Sequence, residues 1–164
     1  MYTLTTEEQN LLLSVKSFDA LAEIALSSLV RMRGEHLTIV QICGPMSTGG
    51  LGNLAANMDR FNRAINVAVS RDVSVFNQIH FQEAMIRICK WEESQPYPMD
   101  LLERFYGRIF SAGHIDKGLF LPDWRSSIGA RWEWDEFQKL QIPVEDYPED
   151  WLQEILLDQV TAQK

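Results

Sequence analysis

The sequence predicts an α/β protein built on a parallel sheet, with a helical extension at its amino end. Three observations lead there. Short runs rich in β-branched and aromatic residues alternate with amphipathic helical patterns of ten to sixteen residues. Two of those runs are followed at once by a turn, glycine-rich in one case and serine-bearing in the other, that opens a helix. The first thirty-four residues carry helical periodicity alone.

Residues 1–35 form the predicted extension, residues 36–147 the α/β domain, and residues 148–164 an acidic helix or tail. In the extension, Thr5 and Glu8 fit a capping box, Ser17 caps a second helix, and Gly34 stops it after Arg31 and Arg33. Leu11, Leu12 and Val15, then Leu21, Ile24, Ala25, Ser28, Leu29 and Met32, recur at helical spacing. That face needs an apolar partner, either its own domain or a second subunit. Residues 37–43 then read as a buried strand, followed by a glycine-rich turn over 44–53 and a helix over 54–69. Leu54, Met58, Phe61, Ile65, Ala68 and Val69 share one face of that helix. A strand at 73–76 precedes a helix at 81–91 with Ala84, Met85 and Ile88 inward, a loop at 95–98, and a helix at 99–112 using Leu102, Phe105 and Ile109. A third strand at 117–121, a helix at 127–140 and a short strand at 142–145 complete the pattern. Strands separated by helices imply right-handed βαβ crossovers, so the expected architecture is a Rossmann-like, flavodoxin-like three-layer sandwich. Ligands in such sheets sit beyond the carboxyl ends of the strands, here the turns after Cys43, Phe76 and Leu121.

Composition bounds the function. With 164 residues and 46% hydrophobic content, the chain supports one domain with a true core. It holds no run of eighteen apolar residues and no basic region leading into an apolar stretch, so a soluble, cytoplasmic protein without a membrane partner is expected. Cys43 and Cys89 lie in apolar surroundings with no CxxC or Cys/His cluster, and are expected as reduced core residues with no metal. A formal charge of −8 argues against a nucleic-acid polymer, whose binding needs Lys and Arg against phosphates. Six carboxylates and no basic residue fall between Glu145 and Asp158. A small anion remains compatible, because a helix N-terminus binds phosphate without a basic surface.

Two constellations carry the chemistry. The first is Cys43-Gly44-Pro45-Met46-Ser47-Thr48-Gly49-Gly50-Leu51-Gly52-Asn53, a glycine-rich loop directly after a strand and before a helix. Glycines let backbone N–H groups approach an anion, but no Walker Lys-Ser/Thr follows and no Gly-x-Gly-x-x-Gly run is present. A flexible strand-to-helix connection is the plain alternative. The second is Leu121-Pro122-Asp123-Trp124-Arg125-Ser126-Ser127-Ile128-Gly129-Ala130-Arg131-Trp132-Glu133. Ser126 or Ser127 can cap the helix, Gly129 admits a ligand to its first turn, and Glu133 lies one turn further on the same face. A carboxylate there can serve as nucleophile at an anomeric carbon or as general base. The alternative is a solvated glutamate paired with Arg131 or Lys139. Residues 76–80 and 114–117 add His80, His114 and Asp116 at strand ends, although these residue types, like His36, are also ordinary turn residues. Of the five tryptophans, expected in core or interface, Trp124 borders the site and is the candidate for contact with a base.

Together these motifs resemble the nucleoside 2-deoxyribosyltransferase superfamily, with its deoxynucleoside 5′-monophosphate N-glycosidase branch. The likeness is closest to a bacterial and phage subgroup with the pattern GPM, LPGWxxSxGARxE and IPV. It is carried by Gly44-Pro45-Met46, Leu121-Pro122-Asp123-Trp124, Ser127, Gly129-Ala130-Arg131, Glu133 and Ile142-Pro143-Val144, and spans residues 37–145. The resemblance implies that Glu133 attacks the anomeric carbon to form a glycosyl-enzyme. It implies that Ser127 donates to a 5′-phosphate, that residues 44–50 line sugar and phosphate, and that Asp116 belongs to the catalytic set. It also implies an enzyme without metal or organic cofactor, acting on a nucleoside or nucleotide, and a homo-oligomer whose site a neighbouring subunit completes. Two departures stand out. The leaving-group aspartate of the family has only Asp100 as a counterpart, sixteen residues before Asp116, and Asp123 replaces the glycine of LPGW, setting a negative charge beside the phosphate position. A nucleotide-binding or sensing domain without chemistry is the competing expectation.

Overall fold

The computed structural model describes residues 3–35, 38–90 and 96–161. Two helices lead, α1 (Thr6–Ser14) and α2 (Phe18–Gly34), each with the predicted N-cap. Thr5 and Glu8 close a reciprocal capping box, and the Ser17 hydroxyl accepts from Ala20 N. Strand β1 (Ile39–Cys43) follows, then α3 (Leu54–Ser70), β2 (Ser74–Val75) and α4 (Gln82–Cys89), which is entered through a 3₁₀ turn at Gln78–Phe81. His36, Leu37, Trp91 and Gln95 lie outside the described residues.

The predicted helix over 99–112 is present as α5 (Met99–Leu101) and α6 (Gly107–Ser111), joined without a break by a π turn at Leu102–Tyr106. The wider turn lets the neighbours Phe105 and Tyr106 both face inward, at 0% and 5% exposure. Strand β3 (Lys117–Phe120), a 3₁₀ turn at Trp124–Ser126, α7 (Ile128–Leu140), β4 (Val144–Asp146) and α8 (Glu149–Thr161) complete the order. The last strand sits later than the predicted 142–145. Pro143 has no N–H to give, and only its carbonyl joins the ladder, accepting from Gly118 N at 2.9 Å.

All four strands are parallel, in the order β2-β1-β3-β4. The protein is an α/β Rossmann-like three-layer sandwich. Alternation along the strands divides the core. Val40, Ile42, Val75, Leu119 and Leu121 face α3 and α8, together with Phe61, Ile65 and Ile155. Ile39, Cys43 and Phe120 face the other way, onto α2, α4, α6 and α7, with Leu29, Met32, Phe105, Ile109 and Phe137. The apolar stripe of α2 is therefore buried in the same core as the sheet, so the extension finds its partner within its own chain. The tryptophan-bearing stretch behaves alike: Trp124 and Trp134 stack at 4.6 Å and both meet Phe120 edge-on. Among the described residues no helix is long and apolar enough to cross a membrane.

The connection after β1 leads to β2 on one side, and the connection after β2 returns past β1 to β3 on the other. The carboxyl ends of β1 and β3 thus flank the point where the winding reverses, the place where such sheets leave a crevice.

Candidate active site

At that reversal the two predicted loops meet. The glycine-rich loop is braced rather than slack. Asn57, on the first turn of α3 and 1% exposed, donates from Nδ2 to the carbonyls of Met46 and Gly49 at 3.0 Å and accepts from Leu51 N at 2.8 Å. Gly49 and Gly50 have φ of +70° and +62°, and a Cβ on Gly50 would fall 2.4 Å from Asn57 Oδ1 and 2.6 Å from Pro45 Cβ. At Gly44 a Cβ would meet Leu121 Cδ1 at 2.7 Å, so the missing side chain lets the ends of β1 and β3 close together.

The loop then reaches the N-terminus of α7. Ser127 is its N-cap, accepting from Ala130 N at 3.3 Å. Thr48 Oγ1 accepts from Ile128 N at 3.0 Å and lies 3.4 Å from Ser127 Oγ, while Ser126 Oγ accepts from Gly50 N at 2.8 Å. Gly129 does leave space at this turn, and Tyr97 fills it: its hydroxyl lies 2.7 Å from where a Cβ would stand. Tyr97 also hydrogen-bonds Ser47. Four hydroxyls, of Ser47, Thr48, Tyr97 and Ser127, therefore gather at the positive end of α7.

One turn deeper lies Glu133, 5% exposed. Neither Arg131 nor Lys139 pairs with it; they bond the Arg125 carbonyl and Glu136 instead. The Cys43 thiol and the Gln41 amide hydrogen-bond the Glu133 carboxyl, and among the described residues no cation offsets its charge. Burial pushes its pKa up to about 8, against the lowering pull of those two hydrogen bonds. Its neighbours respond. Burial, with the Glu133 charge adding to it, raises the Cys43 thiol and the Tyr106 phenol, and brings Tyr97 to about 12. Gln41 in turn donates from Nε2 to Gln78 Oε1, and Gln78 reaches Met46 Sδ at 3.6 Å. Beside Ser47 and Tyr97 opens a small, mostly apolar cleft lined by Leu54, Met85, Ile86 and Leu101, with Gln82 as a polar contributor.

Several expected residues do not join this group. Asp116 sits at the amino end of β3, where its carboxylate accepts from Arg33 Nη2 at 2.8 Å and Ile39 N at 2.7 Å. Burial works against its ionisation, but Arg33 and the Ile39 amide hold its pKa below the ordinary value. It clamps α2 to the opposite edge of the sheet. Trp124 is no free platform, since Trp134 stacks on it and the Arg125 guanidinium lies 4.4 Å from its ring centroid. Asp100 is exposed, in a surface groove with Lys16 and Arg104. His80 borders a different groove, against α1, and the His114 carbonyl takes Arg33. The charge of Asp123 is neutralised by a bidentate pair with Arg60 at 2.8 and 3.0 Å.

Conversely, Gln41, Tyr97 and Tyr106 reach Glu133 or its partners without having been singled out for the site, while Cys43 and Gln78 stood within the candidate turns but with no role assigned. A glutamine amid the apolar run of β1 was a usable signal, because a wholly buried amide needs partners. Tyr97 carried none, as its contacts with Ser47 and Gly129 join residues far apart in the sequence. Among the described residues no three His, Cys, Asp or Glu side chains converge as a metal group. Comparison with protein-family models, with curated proteins and with solved structures returned no match to this chain.

Proposed function

We propose that this chain breaks or transfers the N-glycosidic bond of a nucleoside or nucleoside 5′-monophosphate, with Glu133 as nucleophile. The observation that carries the reading is a buried carboxyl with no counter-cation among the described residues, one helical turn below a group of hydroxyls at the sheet's reversal point. Stability alone gives little reason to keep a lone buried carboxyl, whereas a nucleophile that must attack carbon benefits from a water-poor site. The hydroxyls at the α7 N-terminus suit a phosphate, and the apolar cleft suits a planar base. The resemblance to nucleoside 2-deoxyribosyltransferases supports the same assignment.

In the first step a Glu133 carboxylate oxygen forms a bond to C1′ while the C1′–N bond breaks. The base leaves with the bonding pair and takes a proton from solvent. In the second step a water oxygen attacks C1′, the ester bond to Glu133 breaks, and the proton of the water passes to solvent. A second base in place of water makes the reaction a transfer. Because burial keeps Glu133 protonated near neutral pH, it must release that proton to solvent before attack. Self-association, with a neighbouring subunit completing the site, belongs to the same reading.

One observation favours a second reading, a nucleotide-binding domain that does not cleave. Asp100, the nearest candidate for the family's leaving-group acid but too far before Asp116 for a clean match, is exposed outside the Glu133 group. Incubation with ribo- and deoxyribonucleosides and their 5′-monophosphates, followed by chromatography for free base, separates the two. Release that falls at least about a thousandfold in Glu133→Ala supports the enzyme. Saturable binding without release, unchanged in Glu133→Gln, supports the binding domain.

A further inference from the structure

Gln41 is wholly buried in β1, and its two amide atoms have different fates. Nε2 donates to Gln78 Oε1, and the amide also holds the Glu133 carboxyl. Oε1 has no hydrogen-bond partner among the described residues. An acceptor shut away from water without a donor is a standing cost, so such an atom marks a place where a donor belongs. Its location is narrow. Oε1 is two covalent bonds from the nitrogen of the same amide that holds Glu133, hence close to that carboxyl.

Geometry at the sugar then selects the donor. A nucleophile displacing the base of a β-nucleoside reaches C1′ from the face opposite the base. The 2′-hydroxyl of ribose lies on that same face, one carbon away. A sugar with C1′ against Glu133 therefore brings its 2′-OH to the side where Gln41 stands, whereas 2′-deoxyribose brings only C–H. Hydrogen bonds to the 2-hydroxyl of a sugar also strengthen as charge builds at the anomeric carbon, so the contact favours the transition state. We infer that Gln41 Oε1 accepts the substrate's 2′-hydroxyl and makes Gln41 the residue that selects ribose over 2′-deoxyribose. The inference rests on the glycosidic reading above, and it narrows the substrate class to ribonucleosides or ribonucleoside 5′-monophosphates.

The test measures kcat/KM for free-base release from paired ribo- and 2′-deoxyribonucleoside 5′-monophosphates of the four common bases. The readout is the ribo-to-deoxy ratio in wild type divided by the same ratio in Gln41→Met, so intrinsic differences in sugar reactivity and any general loss of rate cancel. Loss of this acceptor is expected to lower the ratio about tenfold to a hundredfold. Gln41→Asn keeps an amide but draws the oxygen back by one methylene. It is expected to lower the ratio as well, and it decides the matter if Gln41→Met does not fold. Base release with a ratio unchanged or raised in the variants overturns the role of Gln41 and leaves the glycosidic reading standing. No release from any pair overturns both.

Discussion

Glu133 owes its chemistry to the side chains around it. In the unfolded chain its carboxyl ionises near the ordinary 4.5, and in the folded chain burial carries this up to about 8. Between those values the folded protein holds a proton that the unfolded chain has released. The associated stability is full below about pH 4.5, shrinks as pH rises, and is gone above about pH 8. Glu133→Gln keeps the shape and cannot ionise. Its melting temperature should match wild type near pH 5 and exceed it increasingly towards pH 8, by on the order of 10 °C, as scanning calorimetry would read. A constant gap across that range would mean that Glu133 titrates normally. Serine at 127 and glutamate at 133 were legible in the sequence because a strand end, a cap and a one-turn spacing are local facts. The Gln41 and Cys43 contacts were not, since they depend on which face of β1 meets α7.

At the scale of elements, the glycine-rich loop serves as a rigid bracket. Asn57 fixes it from α3, and Thr48 and Gly50 join it to the start of α7. Two glycines separate the causes of that rigidity. Gly50 combines a φ of +62° with a Cβ position 2.4 Å from Asn57 Oδ1, whereas Gly52, at φ +86°, has nothing within 4 Å. Gly52→Ala should cost about 1 kcal/mol from backbone strain alone. Gly50→Ala should cost about 2–4 kcal/mol in urea unfolding, because it also displaces the Asn57 bracket. Equal losses would show that the bracket carries no load. The sequence disclosed this loop and its place after a strand, but composition does not tell a slack loop from a braced one. That distinction lies in Asn57, whose residue type is ordinary on a helix.

For the whole molecule, strand alternation and βαβ spacing sufficed to foretell a parallel sheet and the crevice at its carboxyl edge. Long-range placement did not follow from pattern. The α2 stripe is covered by the chain's own core, and Asp116 went to the far edge because it starts a strand whose other end holds the site. The inward stripe of α2 is taken up by the chain's own core, but Leu13 on α1 and Val30 on α2 stay exposed, and the proposed self-association would use that outer face of the amino-terminal helices. Light scattering on the purified chain is expected to give a multiple of 18.9 kDa, and a strictly single-chain mass would refute it. The claim on which the account turns is that Glu133 bonds to the sugar. Acid quench during turnover of a nucleoside 5′-monophosphate, then peptide mass spectrometry, tests it directly. A pentosyl phosphate adduct on Glu133 is expected, absent from Glu133→Gln along with base release. Base release that persists undiminished in Glu133→Gln, with no adduct on the wild-type peptide, would contradict it.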